Sequence, residues 1–183
     1  KGLKSFCPSN PEVLNWLTRS LESVFTQVKG LGGIFTITAS ENFTTCTSRY
    51  KYYKRCPHCG SGSYAKLQAA INTAMEQGVH KAAPNAEVIV WDWKWPDSEC
   101  KEIIENLPKG CRYMSVSEWS MPINRGGVES KINEYSMSAV GPGPRAIQNW
   151  SYAKAAGLKC MAKVQVNCTW EMSVAPSIPV LDL

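Results

Sequence analysis

The stretch VIVWDWKW, Val88 to Trp95, decides how the fold is read. Its first half is a β-branched run of the kind that forms a strand buried in a parallel sheet. Its second half alternates indole rings with charge: Trp91, Asp92, Trp93, Lys94, Trp95. A core strand does not normally finish in this way. The pattern reads as a strand whose carboxyl end opens onto a site that uses flat rings and a carboxylate.

The same rhythm recurs on both sides. NPEVLNWLTRSLESVFTQVKG carries apolar residues at Val13, Leu14, Leu17, Leu21, Val24, Phe25 and Val28, a helical stripe with Asn10 as cap, Pro11 in the first turn and Gly30 as stop. GGIFTITAS is a strand, and a polar loop from Asn42 to about Ser63 follows it. YAKLQAAINTAMEQGVHKAA is a second helix, AEVIVWDW the second strand, and DSECKEIIENLP a third helix capped by Asp97. CRYMSVSEW is the third strand, PRAIQNWSYAKAAG a fourth helix stopped by Gly157, and LKCMAKVQVN the fourth strand. Strands alternating with helices predict right-handed crossovers and a parallel sheet. Neither glycine-rich phosphate-binding fingerprint, G-x-G-x-x-G or G-x-x-x-x-G-K-[ST], is present.

Each strand delivers a carboxylate at its carboxyl end: Glu41 in TASEN, Asp92 in WDWKW, Glu118 in SVSEWS and Glu171 in NCTWEMS. Three of the ends also carry tryptophan, at Trp91, Trp93 and Trp95, at Trp119 and at Trp170. Parallel strands present these ends on one face, where α/β proteins bind ligands. Indoles stack on the C–H faces of sugars, and glycosidic bond cleavage uses two carboxyl groups, so the combination suits a carbohydrate. Any one of these carboxylates is as often a helix cap or an arginine partner. It is the coincidence of four that carries the reading.

At 183 residues the chain suits a single domain, 1–183, and no run of about 18 apolar residues is present to span a membrane. The sequence opens without an initiator Met or a secretory signal and closes on SIPVLDL, so it reads as a fragment of a longer chain. The net charge of +5 is mild and concentrated only at Arg49–Arg55.

Four segments, ITASENFTTCTSRYKYYKRCPHC, VIVWDWKWP, MSVSEWSMPINRGGVESKINEYSMSAVGPGPR and LKCMAKVQVNCTWEMS, resemble bacterial glycoside-hydrolase-like proteins whose barrel is similar to that of family 20 hexosaminidases. The resemblance covers nearly the whole chain. It implies four βα units forming the C-terminal half of a (β/α)8 barrel, and glycosidic bond hydrolysis with no required cofactor. It places Glu41 at the family's general acid, with Ser40 where that family has an aspartate. Glu118 and Glu171 compete for the second carboxyl role, and Asp92, Trp91, Trp93, Trp119 and Trp170 become candidate sugar-binding residues. An alternative alignment, with the hydrolase clan that uses glutamates on strands four and seven, pairs Glu41 with Glu171. That clan places an asparagine before its acid, whereas Asn42 follows Glu41 here.

The loop CTSRYKYYKRCPHCG holds Cys46, Cys56 and Cys59, three thiols that suit a structural zinc if a fourth ligand arrives from His58, Cys7 or elsewhere. Free or disulfide-bonded thiols are the alternative. The same loop interleaves Arg49, Lys51, Lys54 and Arg55 with Tyr50, Tyr52 and Tyr53, which gives a second functional reading, a nucleic-acid-binding module. The confinement of basic charge to one loop, against acids and tryptophans elsewhere, ranks nucleic acid below carbohydrate. Cys160 reads as a small core residue, Arg125 and Arg145 as members of structural ion pairs, and the sequons at Asn42, Asn149 and Asn167 as chance matches. Four strands cannot fill a barrel. The expected partner beyond the sugar is therefore a missing N-terminal half or a second copy, meeting the edges at Ile34–Thr38 and Met161–Val166.

Overall fold

The computed structural model describes residues 4–134, 136 and 139–164. In chain order the elements are α1 (Pro11–Gln27), β1 (Gly33–Ile37), the short α2 (Tyr50–Tyr53), α3 (Tyr64–Ala82), β2 (Glu87–Trp91), α4 (Asp97–Glu105), β3 (Cys111–Val116), the hairpin strands β4 (Pro122–Arg125) and β5 (Val128–Lys131), α5 (Pro144–Ala155) and β6 (Lys159–Lys163). Four strands form one parallel sheet in the order β1-β2-β3-β6, and β4 pairs antiparallel with β5.

The expected half-barrel of four βα units is overturned. Three crossovers link the four parallel strands, α1 precedes the first strand and packs on α3, and an antiparallel hairpin is inserted between β3 and α5. The result is a mixed α/β arrangement in which the parallel sheet is correct and the closed-barrel inference is not. Strand–helix alternation fixes only the sense of the crossovers. Curvature and closure depend on strand tilt and shear, which alternation does not encode.

The sheet's two faces follow the period of two. Val88, Val90 and Tyr113 point to the helix side and are fully buried with Val79 of α3 and Ile103 and Ile104 of α4. Ile89, Trp91, Met114, Val116 and Met161 make a second apolar cluster on the other side. Among the described residues no helix covers that side, and on edge strand β1 Phe35 and Ile37 stay 45% and 46% exposed. Cys160 is exposed rather than core, because β6 is the opposite edge and α5 covers it only in part.

Helix ends follow local chemistry, with one correction. Asn10 caps α1 by accepting from the Glu12 amide at 3.0 Å, and Ser63 caps α3 through the Lys66 amide. Asp97 does not cap α4. Pro96 holds that position, and the Asp97 carboxylate instead accepts from Arg145 Nε at 2.6 Å. Gly30 and Gly157 take positive φ after α1 and α5, as their stop roles require. α1 reaches α3 closely because Gly78 has no Cβ: one placed there would lie 2.3 Å from the Thr18 carbonyl oxygen. Beside that contact the Thr18 hydroxyl donates to the Ala74 carbonyl at 2.9 Å.

Candidate functional site

Four thiols converge where the amino-terminal segment meets the loop after β1. Phe6 pairs with the 44–46 segment through Phe6 N–H to the Thr44 carbonyl and Cys46 N–H to the Phe6 carbonyl, both 3.0 Å. That pairing sets Cys7 beside Cys46. Helix α2 then turns the chain so that Cys56 and Cys59 return to the same point. Gly60 closes this knuckle, its amide donating to the Cys56 carbonyl at 2.9 Å, and a Cβ at Gly60 would lie 2.5 Å from the Lys54 carbonyl oxygen. The sulfurs of Cys7, Cys46, Cys56 and Cys59 all lie within 4.8 Å of one another. Cys7 is 3.3 Å from Cys59 and 3.9 Å from Cys56, and Cys46 is 3.4 Å from Cys59. These spacings bracket the edge of about 3.8 Å expected of a tetrahedron with metal–sulfur bonds of about 2.3 Å. They are far beyond a disulfide bond, and all four cysteines are free.

The cluster can hold a metal ion. Cys7 supplies the fourth sulfur, while His58 is exposed and meets the cluster through its backbone, its carbonyl accepting from the Ser9 hydroxyl. Ser9 also places its hydroxyl 3.0 Å from Cys59 Sγ. Burial and neighbouring thiols push Cys7 up to about 11 and raise Cys46 as well. Burial also opposes ionisation of Cys56, but the amides of His58 and Cys59 outweigh it and bring that thiol down to about 7. A bound cation would favour the ionised form of all four sulfurs.

The carboxyl ends of the sheet hold the second group of residues. Trp91 and Trp93 have ring centroids 4.5 Å apart, Trp93 meets Trp119 edge-on at 4.9 Å, and Phe35 stacks on Trp91 at 5.3 Å. Trp91 and Trp93 are largely buried in this row and Trp119 is half-buried. Trp95, beyond the turn at Lys94, falls in the helix-side core and donates its indole N–H to the Thr38 hydroxyl at 3.2 Å. Lys94 and Ser120 adopt φ of 53° and 58°, so both strand ends turn through the left-handed region without glycine.

The carboxylates separate into distinct settings. Glu41 is exposed, its carboxylate 3.4 Å from Lys94 Nζ, and its carbonyl accepts from Arg49 at 2.8 Å. Its own backbone amide and then Lys94 hold the Glu41 carboxyl below its ordinary range. Glu118 has no exposed surface and accepts from the Ser117 hydroxyl. Gly141 lies over it, at a distance where a Cβ would be 3.2 Å from Glu118 Oε1. Lys163 lies over the Trp91 ring at 5.4 Å; burial draws its ammonium below the ordinary range, against the attraction of Glu118 and Glu134. Asp92 points to the other side of the sheet. Its Oδ2 accepts from Tyr113, Ser115, Arg145 and Asn149 at 2.7, 2.8, 2.7 and 3.3 Å. Trp170 and Glu171 lie outside the described residues.

The structure therefore links Glu41 to Trp93 through Lys94 and encloses Glu118 beside Ser117, Gly141 and Lys163, while Asp92 serves the interior under α5. The expected ion pair of Arg145 is present; Asn149 is buried, as a chance sequon would be. Sequence reading did not anticipate Ser9, Lys163 or the Tyr113–Asp92–Asn149 network. The pleat parity of Asp92 with Val88 and Val90 was the available signal for the last. The chain matches no protein-family model, no curated protein and no solved structure.

Proposed function

We propose that this chain is a carbohydrate-active protein of glycosidase type, with a structural zinc ion pinning the loop beside its site. The observation that carries the reading is the row of three packed indoles at the ends of β2 and β3, linked to solvent-facing Glu41 through Lys94, with enclosed Glu118 next to Trp119 in the chain. Glu41 is solvent-facing and held as a carboxylate, which suits the base or nucleophile. Glu118 is enclosed, away from bulk water, and the proton-donating role is assigned to it. This assignment reverses the one the resemblance implies for Glu41. Trp119, the half-buried member of the row, supplies the stacking surface. Asp92 supports the site from behind without touching sugar.

The test is turnover of a panel of aryl glycosides. Glu118→Gln and Glu41→Gln should each lower it by about 10²-fold or more, and Trp119→Ala should weaken oligosaccharide binding. Turnover unchanged in both glutamate variants overturns the reading.

For the metal, four thiolates without a vacant position make a structural site, and sulfur donors at tetrahedral spacing favour zinc. Protein purified without chelator should carry one zinc per chain. Its removal should lower the melting temperature and loosen the loop 42–63. Metal analysis that returns no zinc, or peptide mapping that finds a disulfide among these cysteines, overturns the assignment.

A further inference from the structure

A groove of about 920 Å³ opens beside the thiol cluster, and its character is unlike that of the indole row. Lys4, Arg49 and Arg55 line it with Phe43 and Tyr52, Ser5, Cys46 and Cys56 complete it, and no carboxylate is among these described lining residues. The cations are organised by the rings. Arg49 lies over Phe43, guanidinium carbon to centroid 4.7 Å. Arg55 and Lys51 lie over Tyr52 at 5.2 and 4.9 Å, and the two rings are 5.5 Å apart.

A guanidinium laid on a ring has its carbon face occupied and its N–H edge directed outward, where it can grip an oxyanion with two parallel hydrogen bonds. The same arrangement works against nucleobases, which need the ring faces that the cations already cover. A relay of contacts joins the groove to the strand ends: Arg49 holds the Glu41 carbonyl, and the Glu41 carboxylate meets Lys94, which lies over Trp93 at 5.5 Å.

We propose that this groove is an anion subsite for an acidic oligosaccharide, one carrying sulfate or carboxylate groups, in which Arg49 and Arg55 bind the charged substituent of a chain whose neighbouring sugars lie toward Trp93 and Trp119. This rests on the carbohydrate reading above and narrows its substrate class. A competing use of the same charge is local: a metal held by four thiolates carries net negative charge, which these cations would offset.

The experiment measures binding by calorimetry to sulfated, uronate and neutral oligosaccharides of equal length, and to single-stranded DNA at the same ionic strength. It uses the metal-loaded chain, the Arg49→Ser/Arg55→Ser double variant, and Lys51→Ser as a charge control outside the groove. The expected result is tenfold or tighter binding of a charged oligosaccharide over its neutral counterpart. That preference should be lost in the double variant and kept in Lys51→Ser, with neutral binding and metal content unchanged. Neutral oligosaccharides binding as tightly as charged ones overturns the subsite and leaves the carbohydrate reading standing. No binding of any oligosaccharide overturns both. DNA binding equal to the acidic sugar and abolished in the double variant makes the groove a nucleic-acid surface instead. Loss of metal from the double variant, with the anion preference intact, assigns the cations to charge compensation.

Discussion

The Arg145 guanidinium, in the first turn of α5, lies 2.7 Å from the carboxylate of Asp92, at the end of β2, and both side chains are almost fully buried. The same guanidinium also meets exposed Asp97 at 2.6 Å and lies over the Trp119 ring at 5.5 Å. One residue thereby ties α5 to the end of β2, to α4 and to the indole row.

Arg145→Met should destabilise the protein by about 3–5 kcal/mol, because it leaves the Asp92 charge buried without its cation. Most of the loss belongs to Asp92, since the Asp97 carboxylate is open to water. Pairing the change with Asp92→Asn should recover a large part of it. Urea unfolding of the three variants checks this; a loss below about 1 kcal/mol for Arg145→Met would mean that water reaches the pair.

Gly78→Ala should destabilise, against the intrinsic preference of a helix for alanine of about 1 kcal/mol. The added methyl has no room beside the Thr18 carbonyl, so α1 must shift from α3. Overpacking of this kind costs about 1–3 kcal/mol. A rise in denaturation midpoint would show that the two helices separate freely.

Stability should fall on the alkaline side. Burial pushes the thiols of Cys100 and Cys111 up from 9.0 to about 12, and burial followed by Asp92 raises the Tyr113 phenol well above 10.0. These groups keep their protons in the folded protein while the unfolded chain loses them. Their contribution is thus intact below pH 9 and is lost progressively as pH rises toward 12. Denaturation midpoints across that window should decline, less steeply in Cys111→Ala. At pH 8 a thiol alkylating reagent should label exposed Cys160 and leave Cys100 and Cys111 unmodified until unfolding.

The uncovered side of the sheet should make the chain associate. Phe35 and Ile37 stand exposed on an edge strand whose outer side meets no further strand among the described residues, a combination that favours pairing with another surface. Sedimentation at micromolar concentration should show species heavier than one chain, reduced by Phe35→Ser with Ile37→Ser. A clean monomer in the unaltered chain would show that this face is stable in water.

Much of the fold was legible because its signals are local. The helical stripe of α1, the Asn10 cap, and the Gly30 and Gly157 stops follow from backbone chemistry within a few residues. The parallel sense of the strands was legible as well, since each crossover carries a helix. The Asp97 cap failed for a non-local reason: Arg145, 48 residues further on, offered the carboxylate a charged partner. The half-barrel failed because closure is a property of all strands together.

VIVWDWKW by itself determined a buried parallel strand and an unusual carboxyl end, because β-branched runs and alternation are properties of adjacent residues. Only the tertiary structure decided that its three tryptophans divide between the sheet's two sides and that Asp92 faces the partners under α5. The pleat sends Asp92 to the face of Val88 and Val90, where the helices pack, while the turn at Lys94 carries Trp95 away from the side that holds Trp91 and Trp93. The thiol cluster divides in the same way. The C-x2-C turn and a third cysteine were visible as spacing, but Cys7 became the fourth sulfur through the pairing of Phe6 with the segment after β1. That contact spans 39 residues and leaves no mark in the spacing of the cysteines.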